Sequence, residues 1–282
     1  MRIGRYKLSS VETGQFALDG GAMFGVVPRA LWERKIPPDD RNRIGLALRA
    51  LLIEEVDGKR KILVDTGIGQ KWDPKEADMY GIDHSKLKLE KGLAERGLGT
   101  ADITDVFLTH LHFDHAGGAT KRVGDEIVPT FENATYYVQE KNLEWAQNPT
   151  PKDRASYLLE NFEALLREGV LELTNGPGEW LPGIEIIISN GHTYFMQLPH
   201  IHGPEGHLTY CADIIPTSAH VPVPWVMAYD NFPLQTMEEK EAILDRAEAE
   251  DWTIFFEHDP FGPAAKVEYT KKGYVAGTRI QL

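Results

Sequence analysis

A chain of 282 residues, 42% hydrophobic and 26% charged, has ordinary globular composition and is long enough to bury a sizeable core. Its 43 acidic residues outnumber 30 basic ones, a balance of −13 that repels a phosphate backbone on average and disfavours nucleic acid as a partner. A single cysteine, Cys211, excludes an intrachain disulfide framework; no apolar run is long enough to span a membrane, and Met1–Ser10 lacks the apolar core of a secretory signal, so the expectation is a soluble, cytoplasmic protein.

Residues 3–18 suit one or two strands. The stretch of about 20–40, with Met23 and Phe24 between glycines and Trp32 after them, reads either as a hydrophobic lid over a site or as a loop whose apolar residues join the core. Ala47–Glu55 and Lys61–Asp65 read as a hairpin around Asp57-Gly58, and the second strand runs into Asp65-Thr66-Gly67. Ser85–Arg96 has helical spacing and a closing Gly97. Next comes a short apolar strand, Asp105–Leu108, and then Thr-His-Leu-His-Phe-Asp-His-Ala-Gly-Gly over 109–118. Residues two apart on extended backbone share a face, so His110 and His112 address one spot, and Asp114 and His115 address a second beside it. Imidazole and carboxylate suit zinc, iron or manganese, and four such residues within six positions are far stronger evidence for a metal than a lone histidine.

Ala134–Gln139 suits a strand, and Thr150-Pro151-Lys152-Asp153 has the signals of a helix start, with Ala155, Leu158, Leu159, Phe162, Leu165 and Leu166 at helical spacing toward a core. Ile184–Ser189 is a strand that delivers Gly191-His192-Thr193, and His207–Ala212 is another that delivers Asp213. His200, His202 and His207 read as solvated loop residues and stay outside the ligand set. Trp225, Tyr229 and Phe232 follow a proline-rich loop and either line an apolar cleft or pack on the sheet. Thr236-Met237-Glu238-Glu239 reads as a capping box opening a helix to Glu250. Trp252–Phe256 is a last strong strand ending at His258, and the tail resembles a hairpin.

The motif His110-x-His112-x-Asp114-His115 resembles the signature of the metallo-β-lactamase superfamily, and its His-Leu-His-Phe-Asp-His-Ala-Gly-Gly form is similar to that of N-acyl homoserine lactonases. Leu63-Val64-Asp65-Thr66-Gly67, Gly191-His192-Thr193, Asp213 and His258 resemble the superfamily's remaining motifs. The resemblance implies an α/β fold, a four-layer αβ/βα sandwich, as one domain over 1–282 with a helical insertion at about 130–180. It implies two divalent ions, zinc first, with manganese, cobalt or iron as alternatives. His110, His112 and His192 would hold one ion, Asp114, His115 and His258 the other, with Asp213 bridging and Asp65 supporting the ligand histidines from behind.

The implied activity is hydrolysis of a small-molecule lactone or other carboxylic ester by a bridging hydroxide, with Asp114 and Asp213 as catalytic carboxylates and no need for nucleic acid or membrane. A homodimer is left open. Met23, Phe24, Trp225 and Tyr229 are candidates for the substrate pocket. Two departures bear on the substrate. Tyr194-Phe195-Met196 follows His192 where the family has Pro-Gly and a polar residue. Pro216 stands where the lactonases place an assisting tyrosine, for which Tyr229 or Tyr194 are candidate replacements. Organophosphate triester or thioester hydrolysis, as in glyoxalase II, and a mononuclear iron sulfur-oxidising oxygenase remain as alternatives.

Overall fold

Two seven-stranded sheets form the framework of the computed structural model, which describes residues 1–85 and 88–282. The first runs, in spatial order, Arg2–Ile3, Tyr6–Asp19, Arg43–Glu55, Lys61–Val64, Asp105–Phe107, Thr135–Gln139 and Leu171–Thr174. The hairpin around Asp57-Gly58 forms as expected, with Leu52 opposite Leu63 and Glu54 opposite Lys61. From Lys61–Val64 onward the four strands are parallel. Apart from the exposed edge strand Leu171–Thr174, their apolar runs fit burial on both faces, because parallel strands are covered by their crossover segments. Parallel pairing also places the C-terminal ends of Lys61–Val64, Asp105–Phe107 and Thr135–Gln139 along one edge, where open α/β sheets bind ligands.

The second sheet is ordered Gly178–Leu181, Ile184–Ser189, Met196–Gly203, Gly206–Tyr210, Trp252–Phe255, Ala264–Thr270 and Gly273–Ile280. Gly206–Tyr210 and Trp252–Phe255 pair in parallel. Ile184–Ser189 reaches the same direction through two antiparallel steps, by way of Met196–Gly203. Three strands therefore end at the same edge of this sheet, and the tail forms the expected hairpin.

Two compact units divide the chain, Met1–Gln15 with Leu48–Gly176 and Phe16–Ala47 with Pro177–Leu282. The first has a core in which Leu52, Leu63, Val106, Leu108, Leu111 and Tyr136 are fully buried among helix residues such as Leu93 and Leu165. Gly118 is required there by close approach: a Cβ on it would sit 2.2 Å from the Thr66 carbonyl oxygen. Gly118→Ala is accordingly expected to destabilise the protein by about 1–3 kcal/mol, the usual range for overpacking, read as an earlier thermal melt.

Three helices differ from expectation. Residues 86–87 of the Ser85–Arg96 helix lie outside the described residues, and the described helix is Leu89–Glu95. No long helix follows Thr150. Instead two short 3₁₀ turns, Arg154–Ser156 and Leu159–Asn161, lead to Glu163–Arg167. The Asp153 carboxylate accepts from the Thr150 amide, the Thr150 hydroxyl and the Trp145 indole, closing a local turn in place of a helix start. Tyr157, Phe162 and Leu165 then reach the core while Leu159 stays exposed. The helix expected from Thr236 begins earlier, at Pro233, and runs to Ala249, because proline fits the first helical turn and Glu239 is engaged elsewhere. No helix among the described residues is long and apolar enough to cross a membrane.

Candidate metal centre

In the first unit the chain leaves the strand Asp105–Phe107 and turns through Thr109–His115, and every side chain of that turn is buried. Asp65, at the end of the neighbouring strand, organises it. Its carboxylate accepts from the Thr109 amide and hydroxyl, both at 2.7 Å, and pairs with His115 Nδ1 at 2.9 Å. Asp65 holds a left-handed backbone, φ 58°, which aspartate tolerates better than most residues and which is stored strain of a kind common at functional sites. The Thr109 hydroxyl also lies 3.0 Å from His110 Nδ1, and Asn142 accepts from the Leu111 amide at 3.2 Å. The imidazoles cluster: the His110 ring lies 4.4 Å from that of His112 and 4.0 Å from that of His115, centroid to centroid. Asp114 sits beside them, its carboxylate 3.9 Å from His115 Nε2.

The second unit carries its own cluster at the edge where its three strands end. The turn after Ile184–Ser189 presents His192, the turn after Gly206–Tyr210 presents Asp213, and His258 follows Trp252–Phe255. Because those last two strands pair in parallel, Asp213 and His258 emerge side by side. Asp213 lies 3.1 Å from His192 Nε2 and 3.3 Å from His258 Nε2. On its far side His192 Nδ1 pairs with Asp230 at 2.9 Å, and His258 Nδ1 donates to the Ala47 carbonyl at 2.9 Å. Ala212, just before Asp213, again has a left-handed φ of 43°.

Both clusters share one pattern: His110, His115, His192 and His258 each have Nδ1 engaged. For His258 the partner is a carbonyl, which only accepts, so Nδ1 carries the proton and the neutral ring keeps its lone pair on Nε2. That wiring fixes tautomer and ring orientation in metal-binding histidines. These buried imidazole and carboxylate donors therefore suit divalent metal ions.

Burial is the largest single influence on His192 and lowers its pKa, but Asp213 and Asp230 together carry it up to about 9. The metal-free imidazole is thus protonated at neutral pH, and an entering cation must displace that proton. Metal uptake below pH 9 is expected to release about one proton from His192 per chain and to tighten as pH rises toward that value, in pH-stat and calorimetric titrations.

Asp230 and Glu239 escaped the sequence reading, since neither stands in a motif. Asp230 also accepts from the Met227 amide, which anchors the 227–230 turn behind His192. Glu239, expected as a capping residue, instead accepts from the Ser189 hydroxyl and the Asn190 and Gly191 amides, gripping the turn that carries His192. Gly191 allows the helix to approach, as a Cβ there would meet the Thr236 backbone at 2.4 Å.

The candidate pocket residues of the second unit sit in an aromatic stack. Phe24, fully buried, lies flat on His220 at 4.6 Å and edge-on to Trp225 at 5.7 Å, and the Met23 carbonyl pairs with His220 Nε2. Tyr229 is partly buried, and Tyr194 packs on Phe195. Pro216 uses its carbonyl to accept from the His258 amide. His200 is not a solvated loop residue: it is buried in the strand Met196–Gly203, bonded to the Thr209 hydroxyl and packed 4.1 Å from Trp252, and burial pushes its pKa down to about 3. His202 and His207 flank it on paired strands and are likewise not in loops.

Buried imidazoles and carboxylates at the strand ends of a mixed α/β chain define a candidate metal centre, and its kinship with metal-dependent hydrolases makes the chain a hydrolytic enzyme. A family model described as the metallo-beta-lactamase superfamily matches residues 49–258, and the chain belongs to that superfamily and has its fold. Among solved structures, a probable metal-dependent hydrolase from Staphylococcus aureus is similar with 31% identity and a TM-score of 0.89, over 100% of this chain and 99% of that one. AidC, a dizinc quorum-quenching lactonase, shares the fold with 18% identity and a TM-score of 0.81, over 100% of this chain and 97% of that one. An N-acyl homoserine lactone hydrolase with bound product shares it with 22% identity and a TM-score of 0.69, over 92% and 95%. No curated protein matches the chain.

Proposed function

We propose that this metal-dependent hydrolase is binuclear and opens a lactone or a similar small carboxylic ester. In this reading His110, His112 and His192 hold one divalent ion, Asp114, His115 and His258 hold the second, and Asp213 serves both, with zinc the first choice of metal. The observation that carries the reading is the shared wiring of the imidazoles, Nδ1 tied off and Nε2 left as the ligand atom. Neighbours described as lactonases, one of them dizinc, favour the substrate class.

Bound divalent ions supply Lewis acidity and an acidified water, so no serine or cysteine nucleophile is needed. The residues do the rest. Asp65, Asp230 and the Ala47 carbonyl hold the imidazoles in register, and the Asp114 carboxylate takes up a proton and returns it to the departing oxygen. Phe113, Trp72 and Tyr80 pack ring against ring at 5.1–5.4 Å beside Asp114, an apolar wall suited to the hydrocarbon part of an acyl substrate.

Metal analysis together with base consumption on N-hexanoyl homoserine lactone tests the proposal. Two ions per chain and metal-dependent turnover, both diminished in His115→Ala, are expected. A single tightly held iron would move the assignment to an oxygenase. Two ions with cleavage of aryl esters, thioesters or phosphotriesters but of no lactone would keep the binuclear hydrolase and replace its substrate.

A further inference from the structure

The first unit contains a cavity of about 360 Å³ that the hydrolytic reading does not use. Its wall carries Lys71, Lys88, Lys121 and Arg122 against a single carboxylate, Glu90. In a chain whose acids exceed its bases by 13, four cations around one cavity are a local reversal of charge.

Lys71 is the centre of it. Its ammonium donates to the Gly117 carbonyl at 2.5 Å and the Thr120 carbonyl at 2.9 Å, and it meets no carboxylate among the described residues. An ammonium can donate three hydrogen bonds, so one direction remains for a ligand. Lys121 contacts the Thr130 carbonyl at 3.5 Å, also without an acidic partner. Arg122 reaches Glu160 only at 3.5 Å on the exposed side, and Glu90 is turned toward the Gln70 amide at 3.1 Å.

We propose that this cavity binds a small oxyanion of the phosphate class, held by Lys71, Lys121 and Arg122. Burial, opposed by Glu160 and reinforced by Arg122, pushes Lys71 down to about 8, so the ammonium is still present at neutral pH. Compact tetrahedral anions match point-charge lysines and an arginine fork, and a cavity of this size leaves room for the group that carries the phosphate.

The test is calorimetric titration of metal-loaded protein with inorganic phosphate at low salt, in three forms. The unaltered chain is expected to bind phosphate outside the metal cluster, with affinity falling as salt rises. Lys121→Ala combined with Arg122→Ala, both on a surface ribbon and harmless to the core, should weaken binding at least tenfold. Asp213→Ala, in the proposed metal cluster, should leave this binding in place. Binding that survives the double substitution, binding lost only in Asp213→Ala, or no phosphate binding at low salt would each overturn the proposal. None of these results bears on whether the metal cluster hydrolyses esters.

Discussion

Asp213→Ala is expected to lower metal-dependent hydrolysis about a thousandfold or more, the scale set by several kcal/mol of lost charge stabilisation at tenfold per 1.4 kcal/mol. The reason lies in its two contacts, 3.1 Å to His192 Nε2 and 3.3 Å to His258 Nε2, which make it the common partner of those two imidazoles. The same substitution has a readout that needs no turnover. Asp213 is the foremost influence raising His192, so its removal leaves burial to dominate and the imidazole to lose its proton at lower pH. Proton release on metal binding at neutral pH should shrink with it. A variant that lost activity yet kept the full proton release would show that Asp213 does not contact His192 in solution.

Asp65→Ala is expected to be the most destabilising single change in the first unit. It strands the Thr109 amide and His115 Nδ1, both fully buried, and takes the carboxylate from the Thr109 hydroxyl. Breaking a buried charged network of this kind costs on the order of 3–5 kcal/mol, and alanine at φ 58° adds roughly another kcal/mol of backbone strain. At about 2–4 °C per kcal/mol for a domain of this size, the thermal midpoint should fall by roughly 8–24 °C. Asp65→Asn separates stability from function. Asparagine tolerates the left-handed backbone and still accepts from Thr109, but it lacks the charge that favours a proton on His115 Nδ1. Its metal affinity is expected to drop about 10–100-fold with a smaller change in melting, measured by competition with a chromophoric chelator. Equal losses of melting temperature in the two variants would argue that the carboxylate matters to packing alone.

The sequence by itself was enough for the clustered imidazoles and carboxylates of the candidate site, the strands that carry them and the family, because these depend on short-range order. His110, His112, Asp114 and His115 lie within six residues of one turn, and the apolar runs of Lys61–Val64 and Ile184–Ser189 show directly which segments are buried strands. The apolar helical spacing after Thr150 misled, since Asp153 closed its turn on Trp145 and Thr150 and long-range burial of Tyr157 and Phe162 chose turns over a helix. Asp230 and Glu239 were beyond reach for a related reason. Each acts on a turn 38 or 50 residues away in the chain, Asp230 on His192 and Glu239 on Ser189. Which carboxylate meets which imidazole is a consequence of strand pairing and helix docking, and no local pattern encodes it. His200 shows the same limit, as only the sheet decided that it would be buried against Trp252. The chemistry of the candidate ligands is written in neighbouring letters, whereas the hydrogen bonds that orient those side chains come from whatever the fold brings behind them.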